Sequence, residues 1–493
     1  MLFRKTLSLL VLLAACQTPA QQKDSCTLGW TTPQQVSLDT VDVVLTRVLR
    51  NGSLLFVMWQ QYPESGIACS RSIDDGVTWS DPQVVIPPTN GNIPVAISAV
   101  AEGFWIYLSW DGCDPCSPNP VSHVRFQRSS DFGQSWSPTQ NLSIGSHGKL
   151  AALDTRVFLN FQDSVFQSSF LQSTDNGETF SRLPGTPPLL GGYLFDAFVA
   201  SPSGLHGLSQ RPPAPSGVAE TRYYRSTDFG LTWEDSRFLS TLDTFGSRVS
   251  GMAAMGDTLY AVWIDGKYGG FLFTGTVLSR CSLDGGNTFQ PERILSANTA
   301  FRYSVAAADN VVGAVWDSDE DGSFRFSHVY YAMSRDHGET FCPPGRVENS
   351  FFATQWPDIA IGTRLFVSAA RRNNDSTGSR SVFVTLSNPL TDVGGQGLPD
   401  PGGFILLDPY PNPFNSGVIV RYSIPTSEPV TLEIYNPLGQ KVWTSDGKRV
   451  SPGTHSFTWD GRDISGRTVS SGVYVIRVRA GARFQHKRVI YLK

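Results

Sequence analysis

The sequence of 493 residues predicts an all-β protein, in which a ring of short β-sheets is followed by a separate β-sandwich. Its composition has 12% aromatic and only 17% charged residues, with 46 glycines, and this suits a β-protein rich in turns. One eight-residue motif occurs six times at spacings of 44 to 57 residues, and strand-like runs surround each copy. Repeats of this length are typical of propellers and solenoids.

The repeated motif reads Ser, any residue, Asp, any residue, Gly, any residue, Thr or Ser, and an aromatic residue. Its aspartates are Asp74, Asp131, Asp175, Asp228, Asp284 and Asp336. An Asp side chain accepts hydrogen bonds from nearby backbone N–H groups, and Gly adopts backbone angles that a side chain opposes. The six aspartates are therefore predicted to hold tight turns, and not to act in catalysis or metal binding.

Each motif lies within a larger unit of four predicted strands. In the first unit the strands cover residues 43–49, 53–59, 67–71 and 83–86, with the motif between the third and the fourth. The Asn-Gly pair between the first two strands is typical of a hairpin turn. The same order recurs along the chain, which predicts one propeller blade for each unit.

A seventh set of strands, at residues 358–361, 365–370 and 379–386, has no motif and no fourth strand. Residues 30–36 near the N-terminus are similar to residues 79–85, which follow the first motif. We expect residues 34–38 to pair beside residues 379–386, because this closes the ring and removes a free sheet edge. The prediction is a seven-bladed propeller, with six blades as the alternative.

The six turns resemble the Asp-box, or BNR, repeats of the sialidase-like β-propellers. The resemblance implies a propeller over residues 27–390. For catalysis it implies three arginines that bind a sialic-acid carboxylate, a Tyr nucleophile assisted by a Glu, and an Asp acid/base. The Phe-Arg-Ile-Pro stretch of that family is replaced here by Val41-Asp42-Val43-Val44, so Asp42 stands where the first arginine is expected.

Other residues are candidates for these roles, although none matches a motif of the family. Candidate anion ligands are Arg222, Arg302, Arg371 and Arg372, and candidate catalytic groups are Tyr330, Tyr331 and Glu220. A carboxylate at Asp42 would repel a sialic-acid carboxylate. The sequence therefore favours a binding module, with an exo-acting glycoside hydrolase of the sialidase type as the alternative.

The loops between second and third strands lie on the face opposite the motifs and combine aromatic, acidic and cationic residues. Aromatic side chains pack on sugar rings, and short polar groups hydrogen-bond to sugar hydroxyls. The candidate ligand site consists of Trp59, Trp110, Asp111, Arg211, Trp263, Asp265, Trp316, Arg371 and Arg372. The alternative interpretation is that these tryptophans pack in the core between blades.

One acidic stretch has the beginning of a calcium-binding loop. Asp317, Asp319 and Asp321 alternate before a Gly, but the twelfth position holds His328 instead of the Glu of a complete EF-hand loop. A partial Ca²⁺ site and a solvated acidic loop both remain open. The sequence predicts no other cofactor.

The N-terminus has the features of an export signal. Arg4 and Lys5 precede an apolar run that is too short to span a bilayer, so residues 1–15 are predicted to be a signal peptide. Leu13 to Cys16 resembles a lipobox, which implies a lipid anchor at Cys16, and ordinary cleavage nearby is the alternative. Either signal predicts that the chain leaves the cytoplasm.

Six cysteines follow Cys16, and in an exported protein this number suits three disulfides. Cys113 and Cys116 are predicted to form a local disulfide, because no βαβ pattern suggests a redox motif and no second pair suggests a zinc site. The pairing of Cys26, Cys69, Cys281 and Cys342 is left open.

Residues 391–408 are rich in Gly and Pro and are predicted to be a linker before a second domain at residues 409–493. This domain resembles the type A C-terminal sorting domain of type IX secretion. The matching segments are Tyr410 to Asn415, Leu438-Gly439-Gln440, Trp459-Asp460-Gly461 and Ser471 to Tyr474. The resemblance implies an immunoglobulin-like sandwich, recognition by the secretion machinery, and a secreted or cell-surface location in a Gram-negative-type bacterium. A plain surface immunoglobulin-like module is the alternative.

The formal net charge of −4 is small, and nothing in the sequence indicates a nucleic-acid partner. The combined prediction is an exported propeller that binds a glycan or a surface protein.

Overall fold

Short strands joined by tight turns run through the described chain, and no helix lies among its elements. The computed structural model describes residues 26, 28–38, 42–51, 54–62, 66–87, 94–103, 105–113, 122–185, 194–211, 218–268, 275–296, 300–319, 327–347, 354–372, 379–390, 405–406, 409, 412, 414–415, 417–424, 427–436, 440–450, 453–481 and 483–492. The chain divides into two units, Met1–Leu390 and Thr391–Lys493. This division coincides with the predicted end of the propeller at residue 390.

The first unit is built of 27 strands within its described residues. They are β1 (Gln34–Gln35), β2 (Asp42–Asn51), β3 (Leu54–Tyr62), β4 (Ile67–Ser72), β5 (Gln83–Ile86), β6 (Val95–Glu102), β7 (Trp105–Cys113), β8 (Ser122–Ser129), β9 (Gln140–Leu153), β10 (Arg156–Asp163), β11 (Ser168–Ser173), β12 (Ser181–Arg182), β13 (Ala197–Ser201), β14 (Gly204–Arg211), β15 (Glu220–Ser226), β16 (Arg237–Phe238), β17 (Ser247–Met255), β18 (Thr258–Asp265), β19 (Thr276–Ser282), β20 (Arg293–Ile294), β21 (Ala300–Ala308), β22 (Val311–Asp319), β23 (Ser327–Ser334), β24 (Gly345–Arg346), β25 (Thr354–Ile361), β26 (Leu365–Arg372) and β27 (Arg380–Leu386).

These strands form antiparallel units of four, as the repeats predict. The four-stranded sheets are β2-β3-β4-β5, β13-β14-β15-β16, β17-β18-β19-β20, β21-β22-β23-β24 and β1-β27-β26-β25. A seven-stranded sheet runs from β6 to β12 and holds two further units, because the long strand β9 is the last strand of one and the first strand of the next. The first strands of successive units pack against each other around a closed ring. The described residues thus contain seven such units.

The N-terminal strand closes the ring, as the sequence predicts. Gln34 pairs with Val384 and Gln35 with Phe383, and Trp30 forms a further bridge to Ser387. The last sheet therefore takes its outer strand from the beginning of the chain, and the edge of β27 is covered.

The core lies in layers between neighbouring sheets. Where the last and first sheets meet, Val57 and Trp59 pack with Phe366 and Val382 in one buried cluster. Most large side chains of the second strands are buried because these strands have a sheet on each side. Truncating such a side chain to Ala costs roughly 3–5 kcal/mol for an aromatic residue.

Each motif forms the predicted turn between the third and fourth strands. In the first copy, Asp74 Oδ1 accepts from Ser72 Oγ at 2.8 Å and from the Thr78 N–H at 2.9 Å, while Oδ2 accepts from Thr78 Oγ1 at 2.6 Å. The same three bonds recur at the other five aspartates. These hydrogen bonds engage the motif aspartates in local structure.

The motif glycine is needed both for its backbone angle and for the contact between blades. Gly133 has a φ of +84°, and a Cβ built there would lie 2.5 Å from Phe56 Cε2 of the preceding sheet. A side chain at this position would therefore be strained and would push two blades apart.

A disulfide joins Cys26 to Cys342, 316 residues later in the chain. Next to it, the Leu28 N–H donates to Tyr331 Oη at 3.2 Å, and Trp30 packs edge-on against the Tyr331 ring. The expectation of three disulfides is wrong, because Cys69 and Cys281 are free thiols buried in different blades. The predicted pair of Cys113 and Cys116 lies outside the described residues, apart from the backbone of Cys113. A disulfide between distant residues indicates that the protein folds outside the cytoplasm.

The second unit is a β-sandwich. Its described strands are β28 (Ile405–Leu406), β29 (Val418–Ile424), β30 (Glu428–Tyr435), β31 (Lys441–Thr444), β32 (Lys448–Val450), β33 (Gly453–Trp459), β34 (Gly472–Ala480) and β35 (Arg483–Tyr491). One sheet has the order β28-β29-β33 and the other β31-β30-β34-β35, with β32 also pairing with β30. Trp459, Ile434 and Ile476 are among the side chains buried between the sheets.

The predicted linker, residues 391–408, includes two residues at its C-terminal end that belong to the second unit. Residues Ile405 and Leu406 pair with Ser423 and Tyr422, so they belong to the sandwich. The predicted signal peptide and Cys16 lie outside the described residues. Among the residues that the structure describes, no helix is long and apolar enough to cross a membrane.

Candidate functional site

The four candidate tryptophans do not form an exposed aromatic platform. Trp59, Trp110, Trp263 and Trp316 have at most 2% of their surface exposed, and each packs in a cluster between blades. They lie within second strands, two or three residues before the strands end, and these strands are covered on both faces by neighbouring sheets. The interpretation as a ligand platform is therefore corrected to core packing.

The candidate aspartates of the same loops are also buried. Asp111 accepts from the His147 N–H at 2.6 Å, and Asp265 accepts from the Lys267 N–H at 3.0 Å. Burial raises the pKa of both carboxyls, and these backbone hydrogen bonds lower it in part. Both side chains bind backbone N–H groups near the loops and are about 1% exposed, so a ligand has no direct access to them.

Asp317, a candidate ligand of the predicted calcium site, is paired with an arginine in the structure. Its Oδ1 accepts from the Arg302 N–H at 2.7 Å, and its Oδ2 accepts from Arg302 Nη1 at 3.0 Å. Burial raises the pKa of Asp317 to about 6, although the charge and hydrogen bonds of Arg302 lower it. The side chains of Asp319 and Asp321 lie outside the described residues, and no group of metal-binding side chains occurs within the described ones.

The structure places an unpredicted cluster beside Asp317, where the last two sheets meet the first. The Arg302 guanidinium lies 4.5 Å from the ring centroid of Trp356, and the Arg380 guanidinium lies 4.8 Å from the same centroid. Trp356 is near the start of β25, Arg302 near the start of β21 and Arg380 at the start of β27. We call Arg302, Trp356, Arg380, Asp42 and Asp317 the seam cluster.

Asp42 completes the seam cluster from the first sheet. Arg380 Nε donates to Asp42 Oδ1 at 3.0 Å, and Arg380 Nη2 donates to Asp42 Oδ2 at 2.9 Å. Burial raises the pKa of Asp42, but the hydrogen bonds and charge of Arg380 outweigh it, so the pKa lies below its ordinary value. The guanidinium of Arg380 therefore compensates the charge of Asp42, which the predicted repulsion of a sialic-acid carboxylate did not take into account.

A strained backbone holds Trp356 in this position. Its φ is +52°, which is rare for a bulky residue, and a β-bulge lies between Gln355 and Asp358. The Trp356 carbonyl accepts from Thr46 Oγ1 at 2.7 Å, and Asp358 accepts from the Val48 N–H at 2.7 Å. Strained residues of this kind persist where surrounding contacts over-determine them, and they are frequent at binding sites.

The two candidate arginines at the end of β26, Arg371 and Arg372, have different neighbours. Arg372 is directly opposite Arg380 in the strand pairing, so two cations are cross-strand neighbours. Arg371 instead lies over the ring of Phe383, 5.1 Å from its centroid. Like charges in direct cross-strand positions are unfavourable by themselves. The seam cluster itself has two guanidinium groups, of Arg302 and Arg380, for the two carboxylates of Asp317 and Asp42, and Arg372 lies next to it in the strand pairing.

The candidate catalytic groups are not brought together. Tyr330 stacks on Trp316, Tyr331 contacts the N-terminal segment, and Glu220 accepts from Ser240 Oγ two blades earlier. Arg222 lies over Phe238 at 4.0 Å and donates to Ser236 Oγ at 3.1 Å. The side chain of Arg211 lies outside the described residues. The described chain therefore does not assemble the Tyr and Glu pair of a sialidase from these residues.

Comparison with known proteins gives a family match for the second unit only. Residues 417–483 match the family model of the FlgD Ig-like domain. The basal-body rod modification protein FlgD of Salmonella typhimurium is 28% identical over 143 residues, which are 28% of this chain and 60% of that protein. FlgD of Salmonella typhi matches to the same extent. The match thus spans less than two thirds of these relatives. The C-terminal unit contains an immunoglobulin-like domain.

Solved structures with similar folds include a protein of unknown function and two glycosidases. A protein of unknown function from Dyadobacter fermentans has a TM-score of 0.46 and 12% identity, covering 73% of this chain and 99% of its own. A mutant sialidase from Trypanosoma rangeli has a TM-score of 0.43 and 10% identity, covering 93% and 86%. A mutant α-L-arabinofuranosidase from Fusarium graminearum has a TM-score of 0.43 and 12% identity, covering 74% and 98%.

Sequence reasoning named Arg302 and Asp42 but missed Trp356 and Arg380. The Trp356-Pro357 pair gave no usable signal, because a residue before Pro favours extended backbone, whereas Trp356 has a φ of +52°. No local pattern marks Arg380 as the partner of Asp42.

Proposed function

We propose that the propeller is an exported binding module whose ligand is a glycan with an acidic group, bound at the seam cluster. The observation that carries the proposal is that the guanidinium groups of Arg302 and Arg380 lie 4.5 Å and 4.8 Å from the ring centroid of Trp356. The Arg302 side chain is 42% exposed, while its partner Asp317 is buried. A guanidinium has five N–H donors, so Arg302 retains donors for a carboxylate or for hydroxyl groups.

The charge of the seam also favours an anionic ligand. Asp42 and Asp317 neutralise the guanidinium groups of Arg380 and Arg302, and Arg372, opposite Arg380, adds a third guanidinium group with its own positive charge. An acidic ligand would relieve the repulsion between these cross-strand cations. The alternative of an exo-acting glycoside hydrolase lacks support in the described residues, since the candidate Tyr and Glu side chains lie in different blades.

In this proposal the C-terminal domain directs delivery through type IX secretion to the cell surface or the medium. The motif segments quoted above support it, and so does the disulfide, which suits an oxidising compartment. A lipid anchor at Cys16 and a Ca²⁺ ion at the acidic loop remain parts of the sequence prediction.

A glycan-array screen of the full mature protein tests the binding proposal. We expect uronate- or sialate-bearing glycans to bind, and Arg302→Gln to weaken that binding at least about tenfold, which corresponds to about 1.4 kcal/mol. Arg222→Gln is the matched control, because Arg222 also lies over an aromatic ring but in a blade away from the seam. Equal binding by both variants, or binding of neutral glycans only, would contradict the proposal.

A further inference from the structure

The second unit is basic although the whole chain is acidic. Residues 391–493 contain 12 Lys and Arg against 8 Asp and Glu, whereas the whole chain has 39 against 43. Such a difference between two parts of one chain points to a basic interaction surface.

The basic residues are concentrated on one face of the sheet β31-β30-β34-β35. Along β34, Tyr474, Ile476, Val478 and Ala480 are buried in the sandwich. Because side chains alternate along a strand, Arg477 and Arg479 face outward. In the strand pairing, Arg477 is opposite His486 and Val475 is opposite Arg488, so Arg488 shares this side. We call this side of the sheet the outer face.

The outer face has only one carboxylate among its described side chains, and that carboxylate is already paired. Glu433 is opposite Arg477 and accepts from Lys441 Nζ at 2.7 Å and from Tyr435 Oη at 3.0 Å. The hydrogen bond from Lys441 holds the pKa of Glu433 below its ordinary value. Arg479 and Arg488 have no acidic partner within the described part of the chain. The face is therefore cationic.

Exposed aliphatic side chains lie among these cations. Val473 is opposite Ile490 in the strand pairing, and both are about 40% exposed, at 44% and 39%. Arginine is enriched at protein interfaces, and their buried centre is apolar, so cations with exposed aliphatic neighbours suit such a surface. Val473 and Ile490 lie in strands of the sheet, as the cations do, and not in a protruding loop that could insert into a bilayer.

The backbone at this end of β35 is already occupied. The Phe414 N–H donates to the Ile490 carbonyl at 2.9 Å, and the Leu492 N–H donates to the Phe414 carbonyl at 2.8 Å. Asn412 adds two more bonds, accepting from the Ile490 N–H at 2.7 Å and donating to the Arg488 carbonyl at 3.0 Å. A partner at this end therefore cannot add a strand to the sheet and must contact side chains of the outer face.

We propose that the outer face docks an acidic polypeptide. Its carboxylates pair with Arg479 and Arg488, and its aliphatic side chains contact Val473 and Ile490. This binding is separate from the seam cluster, and it gives the C-terminal domain a partner class whether that domain is a secretion signal or a plain surface module.

The test uses the full mature protein and a fluorescent ten-residue peptide of alternating Glu and Val. We expect saturable binding by anisotropy, which weakens at least about tenfold when the salt concentration is raised tenfold, because exposed charges are screened. The variant Arg479→Glu with Arg488→Glu should lose at least about tenfold in affinity, or about 1.4 kcal/mol. The control variant is Arg462→Glu with Arg467→Glu, which changes the charge equally in an exposed loop outside this sheet.

Three results would overturn the proposal. One is equal loss of affinity in both double variants, which would indicate a nonspecific charge effect. Another is binding of a Lys and Val peptide as tightly as the Glu and Val peptide. The third is binding to phosphatidylglycerol vesicles without any binding of the acidic peptide, which would assign the face to an anionic lipid surface. Circular dichroism of each variant checks that the fold is retained.

Discussion

Asp42 and Arg380 are 338 residues apart in the chain and form a two-point ion pair at the junction of the first and last sheets. The Arg380 N–H donates to the same carboxylate at 2.8 Å, so Asp42 binds both the side chain and the backbone of its partner. The N-terminal strand pairs with the same strand β27, opposite Val384 and Phe383. The ring is therefore closed both by backbone pairing and by an ion pair at the seam.

Replacing Asp42 with Asn should lower the free energy of unfolding by about 1–3 kcal/mol, since hydrogen bonds to charged groups are lost. The lowered pKa of Asp42 stabilises the fold at a pH above its ordinary pKa of 3.8, and this contribution is lost as the pH falls through the lower folded value. Urea unfolding at about pH 7 and about pH 3 measures both effects. The variant should lose most stability at the higher pH, and a uniform loss would contradict the ion-pair argument.

The double variant Cys26→Ser with Cys342→Ser should unfold at a temperature several degrees lower than the parent. Disulfides typically contribute roughly 2–4 kcal/mol by restricting the unfolded chain, and this one spans most of the propeller. Thermal unfolding followed by circular dichroism measures the change. Cys69→Ser is the control for a buried thiol without a disulfide. An unchanged melting temperature in the double variant would show that the N-terminal segment is held by strand pairing alone.

Asp131→Ala should destabilise the propeller without removing ligand binding. Its carboxylate accepts from Ser129 Oγ, from the Gln134 N–H and from both donors of Ser135, so the change leaves turn donors unpaired. The expected cost is on the order of 1–3 kcal/mol in urea unfolding. Asp81→Ala, an exposed carboxylate outside the motif, is the control. Loss of glycan binding in a fully folded Asp131 variant would instead indicate a functional motif.

Glu220 should make the stability of the propeller fall as the pH rises. Burial raises the pKa of Glu220 to about 7, a hydrogen bond from Ser240 lowers it in part, and the charges of Asp265 and Asp243 raise it further. A raised carboxyl pKa stabilises the fold below the ordinary value of 4.5, and this stability is lost as the pH rises through about 7. Urea unfolding between about pH 5 and pH 8 should show a loss on the order of 2–3 kcal/mol.

The matched variant Glu220→Gln should remove most of that pH dependence, because the amide does not ionise. Ser240 Oγ still finds an acceptor on the Gln side chain, so the local hydrogen bond is retained. The same pH dependence in parent and variant would assign the effect to another carboxyl, such as Asp265.

The purified protein should not cleave sialyl substrates. The candidate groups Tyr330, Tyr331 and Glu220 lie in separate surroundings, so neither of these tyrosines can pair with Glu220 as nucleophile and assisting base. Turnover of a fluorogenic sialoside between about pH 5 and 7, with Ca²⁺ present, is the measurement. Robust turnover that disappears in Arg371→Ala or Arg372→Ala would move the glycoside hydrolase alternative to first place.

Local patterns in the sequence predicted the elements that short-range contacts determine. The six motif turns follow from hydrogen bonds within eight residues, and Asp74 with Thr78 shows the complete set. The strand-to-turn order of each unit follows from alternating apolar residues. Even the pairing of β1 with β27 was predictable, because residues 30–36 are similar to a strand that follows a motif.

The candidate site depends on long-range packing, and the sequence alone could not predict it. Trp263 and Asp111 look like ligand groups at the ends of strands, yet neighbouring sheets bury both of them. Asp42 looks like an unpaired charge until the ring closes and brings Arg380 against it. Such partners come from hundreds of residues away, and their positions depend on how the sheets curve around the ring. The sequence alone determined the turns, the strands and the closure of the ring. Only the tertiary structure decided which side chains are buried and which charges meet at the seam, because burial and ion pairing depend on distances that no local pattern specifies.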